Sequence, residues 1–214
     1  MIVDERIITF INSLDTKNSE ILEDIEREAL ADNVPIIRRE MQSFLKVLLM
    51  VKKPMRVLEV GTAVGFSALL MSEYVPEECA ITTIENYEKR IPIARQNFVR
   101  AGKEKKITLL EGDAMDVLKT LEGPYDFIFM DAAKGQYIHY LPEILRLLAK
   151  GGILVSDNVM QDGDVIESRF AVERRDRTIH ARMREYLYEL KHNDALVTSI
   201  IPLGDGVALS VKKE

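Results

Sequence analysis

From Met55 to the C-terminus the chain alternates two kinds of stretch, and this alternation constrains the fold more than any other feature. Five short apolar runs, MRVLEV, AITTIE, KITLLEG, YDFIFMDA and GILVSDN, are separated by helical stretches of about ten to fifteen residues. Runs of this length can be buried on both faces, and helices between them serve as crossovers joining parallel strands. Two further runs, ALVTSIIPL and GVALSVKK, close the chain with Gly-Asp-Gly between them. So short a link suits a hairpin, which makes the last strand antiparallel to the others. The expectation is a doubly wound α/β fold whose mostly parallel, seven-stranded sheet ends in an antiparallel strand. Ligands of such sheets bind in the crevice outside the carboxyl ends of the strands, so the strand ends are where chemistry should be sought.

The alternation does not extend upstream. Residues 1–52 read as helices covering an α/β core of residues 55–214. In NSEILEDIEREALADN, Asn18 or Ser19 can cap a helix carrying Ile21, Leu22, Ile25 and Leu30 at helical spacing. REMQSFLKVLLMVKK repeats the pattern with Met41, Phe44, Leu45, Leu48 and Leu49. At 214 residues the chain is long enough for one substantial domain and short for two. The N-terminus, MIVDERIITF, carries acids where a secretory leader would be basic and apolar. No apolar run approaches the ~20 residues needed to span a bilayer, since FLKVLLMV is broken by Lys46. A single cysteine, Cys79, excludes an internal disulfide and a cysteine-cluster metal site. It is read as a half-buried small hydrophobe, and the chain as cytoplasmic with no membrane partner.

Four strand ends carry candidate functional groups. The first ends in EVGTAVG, a glycine turn that lets backbone N–H groups and a helix N-terminus approach a ligand closely. A dinucleotide site would use G-x-G-x-x-G for a pyrophosphate; here the pattern is G-x-x-x-G, with Glu59 two residues before Gly61. An acid there repels a pyrophosphate and can pair with a cationic group such as an α-amino group, although a plain strand–helix turn would look the same. The second strand ends in Glu85, 24 residues after Gly61, where doubly wound nucleotide folds place an acid on ribose hydroxyls. In EGDAMDVL, Asp113 either caps the next helix or meets an adenine amino group, and both roles are compatible. FIFMDAAKGQY ends a strand in Asp131 with Lys134 three residues on, and GILVSDNV ends the next in Asp157 and Asn158. Two carboxylates and an amide suit a hard divalent cation that keeps open positions, which describes Mg²⁺ better than Zn²⁺.

These residues together resemble the cation-dependent class I O-methyltransferases, the family of catechol and caffeoyl-CoA O-methyltransferases. The motifs VLEVGTAVGFSAL, TIE, GDA, DFIFMDAAKGQY, GGILVSDNV and PLGDGVALS occur in order from about Val34 to the C-terminus. The resemblance implies a Rossmann-like fold and S-adenosylmethionine as cofactor. It places Glu59, Gly61 and Ser67 at the methionine end, Glu85 on the ribose, and Asp113 and Ala114 beside the adenine. It assigns Asp131, Asp157 and Asn158 to Mg²⁺ or another divalent cation, sets Asp131 at the boundary between cofactor and metal, and makes Lys134 the general base. It further implies a homodimer to which the N-terminal helices contribute.

Within the family the chain is most similar to a bacterial branch that includes tRNA 5-hydroxyuridine methyltransferase, through NVPII, DAAKGQY and IIPLGDG. The implied reaction moves a methyl group to a metal-bound hydroxyl, either 5-hydroxyuridine at the tRNA wobble position or, as the alternative, a small catechol. Both acceptors present two vicinal oxygens, so the metal motif does not choose between them. A net charge of −6 argues against nucleic-acid binding by the whole surface. The stretch Arg169–Lys191, however, has six arginines and one lysine against four acids. Arg174, Arg175 and Arg177 are its candidate phosphate contacts, to which Arg38 and Arg39 could add; a solvated amphipathic helix would show the same charges. A nucleotide-binding module without catalysis is a third reading, disfavoured by Lys134. A nicotinamide dehydrogenase is the least favoured reading, because the third glycine of its fingerprint is absent.

Overall fold

The computed structural model describes residues 2–214. Three helices come first: α1 (Glu5–Ser13), α2 (Glu20–Ala31) and α3 (Arg39–Lys52). Asp4 caps α1 by accepting from the backbone N–H of Arg6 at 2.9 Å, and Ser19 takes the N-cap position of α2. Lys53, in the left-handed conformation, ends α3 immediately before Pro54, which cannot continue a helix.

Seven strands follow: β1 (Arg56–Val60), β2 (Ala80–Glu85), β3 (Ile107–Glu111), β4 (Tyr125–Met130), β5 (Leu148–Ser156), β6 (Leu196–Ile201) and β7 (Val207–Lys212). Between them lie α4 (Phe66–Glu73), α5 (Ile91–Arg100), α6 (Ala114–Thr120), α7 (Tyr137–Leu147) and α8 (Arg177–His192). The sheet order is β3-β2-β1-β4-β5-β7-β6. The first five strands pair in parallel, and β7 runs antiparallel to both β5 and β6. The expected architecture and hairpin are therefore both present.

Burial on both faces shows in β4, where alternate residues enter different cores. Phe127 and Phe129 pack with Leu22, Leu45 and Leu69 from α2, α3 and α4; Ile128 and Met130 pack with Ile144 and Tyr186 from α7 and α8. The N-terminal helices thus share the core of one sheet face with α4 rather than forming a separate layer. Strand order reverses between β1 and β4, so their carboxyl ends flank a crevice where the crossovers diverge to opposite sides.

Candidate active site

A cavity of about 470 Å³ opens over the carboxyl ends of β1, β2, β4 and β5. Its floor requires glycine at position 61. Gly61 has φ +103°, and a Cβ placed there would stand 2.2 Å from the carbonyl oxygen of Asp131. The turn between β1 and α4 therefore lies directly against the end of β4, and the cavity runs continuously from one strand end to the other.

One end of the cavity is built by β1, β2 and the turns after them. Glu85 is fixed by three backbone donors: Oε2 accepts from Ala63 N at 2.7 Å, and Oε1 from Asn86 N and Tyr87 N at 3.0 and 2.9 Å. Its carboxylate lines the cavity with no free rotation, a suitable acceptor for a vicinal diol. Ser67, in the first turn of α4, also lines the cavity and donates to Glu59 Oε1. Glu59 itself lies beneath, fully buried, with Oε2 accepting from Thr83, its partner across the β1–β2 register. Asp113 acts as the N-cap of α6, accepting from Met115 N at 2.9 Å, while Gly112 and Ala114 beside it face the cavity.

Burial pushes the Glu59 carboxyl up to about 7 from an ordinary 4.5, against the two hydroxyls that favour its charged form. A raised carboxyl pKa means the folded protein binds the extra proton, so stability falls as pH rises from 4.5 through about 7. Glu59→Gln removes that slope. Urea unfolding at pH 5 and pH 8 should show the variant gaining on the natural protein by up to about 3 kcal/mol at the higher pH. A gap that does not change with pH would mean that Glu59 is charged throughout.

The other end gathers the acids of β4 and β5. Asp131 N donates to Val60 O, and Asp157 N donates to Met130 O, which extends the sheet ladder one residue and aligns the two carboxylates. Asn158, at φ +57°, turns back so that its Nδ2 donates to Asp131 Oδ1 at 3.2 Å. Burial, and next the charge of Asp131, pushes Asp157 up to about 7; burial likewise raises Asp131, opposed by Lys134 and Asn158. Two buried carboxylates side by side, one raising the other, are short of positive charge. Among the described residues no group of three or more His, Cys, Asp or Glu side chains is placed to hold a metal. The oxygen set here is two carboxylates and one amide, which rotation about the last bond of Asn158 would complete. Hard donors of this kind fit Mg²⁺ with positions left for water or an acceptor. Lys134 opens the short 3₁₀ turn Lys134–Gln136 at the same end of the cavity.

A family model described as O-methyltransferase matches residues 12–213. The chain belongs to the O-methyltransferase family. The catechol O-methyltransferase of Niastella koreensis is 35% identical over 128 residues, 58% of this chain and 58% of that protein. The chain thus spans less than two thirds of that relative. Caffeoyl-CoA O-methyltransferase 2 of Populus trichocarpa is 33% identical over 183 residues, 78% of this chain and 70% of its own length. The solved structure of Podospora anserina methyltransferase PaMTH1, with SAH bound, superposes with a TM-score of 0.89 at 27% identity, covering 98% of this chain and 95% of that one.

Other expected residues of this O-methyltransferase-family chain lie away from the cavity. Arg174 and Arg175 occupy the segment between β5 and α8, and Arg177 opens α8. Arg175 pairs with Glu173 and Asp176 at 3.0 and 3.4 Å, and Arg177 Nε donates to Val172 O at 3.2 Å. Arg39 is held by Glu26 at 2.8 Å and Glu23 at 3.5 Å, whereas Arg38 lines the cavity. Tyr137 packs: it is fully buried, and its hydroxyl donates to Met130 O and accepts from Ala132 N. His180 is buried on α8, and Cys79 is buried outright, its thiol pushed up to about 11 by burial. Sequence reasoning took Asp205 only as a turn residue; its side chain reaches the acidic end of the cavity.

Proposed function

We propose that this chain moves a methyl group from S-adenosylmethionine to a hydroxyl oxygen of a small phenol bearing two vicinal oxygens, with Mg²⁺ or a similar cation, in the cytoplasm. The observation that carries this reading is the convergence of Asp131, Asp157, Asn158 and Lys134 at one end of a cavity whose other end is built by Ser67 and Glu85. Relatives named catechol and caffeoyl-CoA O-methyltransferases support the phenolic acceptor.

S-adenosylmethionine supplies a methyl group on a sulfonium that leaves as a neutral thioether. A cation held by Asp131, Asp157 and Asn158 supplies Lewis-acid stabilisation of an ionised hydroxyl. Glu85, immobilised by three N–H groups, accepts from ribose hydroxyls and fixes the cofactor along the cavity. Ser67, backed by Glu59, holds its amino-acid end. Lys134 Nζ, as its neutral amine, would take the proton of the acceptor hydroxyl, the O–CH₃ bond forming as the S–CH₃ bond breaks and the thioether departs. Much of the rate comes from holding oxygen, methyl and sulfur in line.

A second reading, 5-hydroxyuridine at the tRNA wobble position, draws on the segment following Asp157 and Asn158. Phe170 is 86% exposed there, between Arg169 and Arg174, an arrangement suited to base stacking beside phosphate contacts. The test is transfer from labelled S-adenosylmethionine, with Mg²⁺ or with chelator, to catechol, hydroxylated tRNA and unhydroxylated tRNA. Label entering catechol alone, and lost with chelator, supports the phenolic reading. Label confined to hydroxylated tRNA transfers the assignment to RNA. Transfer undiminished by chelator removes the cation from either.

Phe10 and Leu14 on α1 and Val47, Met50 and Val51 on α3 are exposed apolar side chains, and we read them as a face through which two copies associate. Sedimentation should then report a dimer, and Val51→Glu with Phe10→Glu a monomer. A monomer before substitution would refute the assignment.

A further inference from the structure

We propose that Arg38 is a specificity-determining residue that binds an anionic substituent, a carboxylate or a phosphate, on the methyl acceptor. The inference rests on the methyl-transfer reading above and adds to it the chemical class of the acceptor. Arg38 occupies the N-cap position of α3, and its side chain lines the cavity at the end that also holds Lys134, Asp157 and Asn158.

Three observations separate Arg38 from a structural arginine. Its neighbour Arg39 is closed into short contacts with Glu26 and Glu23, but Arg38 approaches its ion-pair partner, Asp205 Oδ2, only to 3.8 Å. Its side chain lines the cavity, which Arg39, equally exposed, does not. The Asp205 side chain, by contrast, is 11% exposed and also meets Asp162, so the pair does not form a closed bidentate fork.

Asp205 is well placed to orient Arg38. It sits between Gly204 (φ +55°) and Gly206 (φ +83°) in the β6–β7 turn, where a Cβ on Gly206 would stand 2.3 Å from Met160 Cγ. Met160 N donates to Asp205 O at 2.8 Å, and Val159 N to Gly206 O at 2.9 Å. The turn is thereby tied to the residues immediately after Asn158. Asp162 also faces Arg38 and Asp205. A guanidinium held loosely by Asp205 and open on its cavity side is suited to a planar anion, which it can engage with two parallel N–H donors.

Two acceptor pairs test the proposal: catechol against 3,4-dihydroxybenzoate, and 5-hydroxyuridine against its 5′-monophosphate. The readouts are kcat/KM with S-adenosylmethionine and Mg²⁺, and calorimetric binding of each acceptor to the SAH-saturated protein. The natural protein should prefer the anionic member of at least one pair, and which pair shows the preference distinguishes carboxylate from phosphate. Arg38→Met should lower that preference about fivefold, as befits a partly exposed pair. Arg38→Lys should restore part of it, and high salt should weaken it in the natural protein. A preference unchanged by Arg38→Met, in a variant whose thermal unfolding matches the natural protein, overturns the proposal. No preference for either anionic member also overturns it while leaving the methyl-transfer reading intact. Absence of transfer to all four acceptors removes that reading, and the proposal with it.

Discussion

Asp157→Ala is expected to lower methyl transfer by about 1,000-fold or more, because the cation loses a carboxylate where several kcal/mol of charge stabilisation are needed. Binding of S-adenosylmethionine, measured by calorimetry, should change little, since Ser67 and Glu85 lie at the other end of the cavity. The same variant should unfold no more easily than the natural protein. Burial and the nearby Asp131 push the Asp157 carboxyl up to about 7, so the ionised side chain opposes folding and its removal relieves a repulsion. A residue whose loss abolishes activity without lowering stability is held for function and not for packing. The cation should reverse the balance. Binding requires the ionised carboxylate, so the rise in melting temperature on adding Mg²⁺ should be larger at pH 8 than at pH 6. Asp157→Ala should erase that rise at both pH values. An unaltered response to Mg²⁺ in the variant would mean that the ion binds elsewhere.

What could be read in advance follows from which features are local. The strands buried on both faces announced themselves, and YDFIFM is the clearest case: Phe127 and Phe129 enter one core while Ile128 and Met130 enter the other. The hairpin was legible because the short link from Pro202 to Gly206, with two glycines, leaves the chain few alternatives. Asp131 and Asp157 could be paired in advance because they end successive apolar runs that lie side by side in a doubly wound sheet. Glu59 was harder. Its position beneath Ser67 depends on the register that sets it opposite Thr83 in a strand distant in sequence. Asp113 offered two compatible roles, and the structure shows the cap, with Ala114 taking the cavity side. Asp205 read as a turn because its approach to the site arises from pairing of β7 with β5. The arginine stretch is legible only in part. Composition gives a charge but not the direction of a long side chain, and Arg175 and Arg177 settle on neighbours within five residues.

Lys134→Met carries the second large expected effect, a fall in kcat of about 100- to 10,000-fold, the range associated with a positioned proton acceptor. Position alone could produce such a loss, so the acceptor has to supply the discrimination. Catechol must lose a proton as its oxygen attacks, whereas 4-nitrocatechol is already largely ionised near neutral pH and has less need of a base. If Lys134 Nζ takes that proton, the variant's deficit should shrink markedly with the nitro compound. Equal deficits with both acceptors would recast Lys134 as a residue that orients the acceptor or balances Asp131 and Asp157. Lys134→Arg adds a further separation. It retains the positive charge beside the acids, but a guanidinium does not give up a proton in proteins. Charge balance alone would let it recover most of the activity, and proton transfer would leave it close to Lys134→Met. Because Lys134 opens a short turn without packing into either core, both variants should fold, and the comparison then reports on the chemistry.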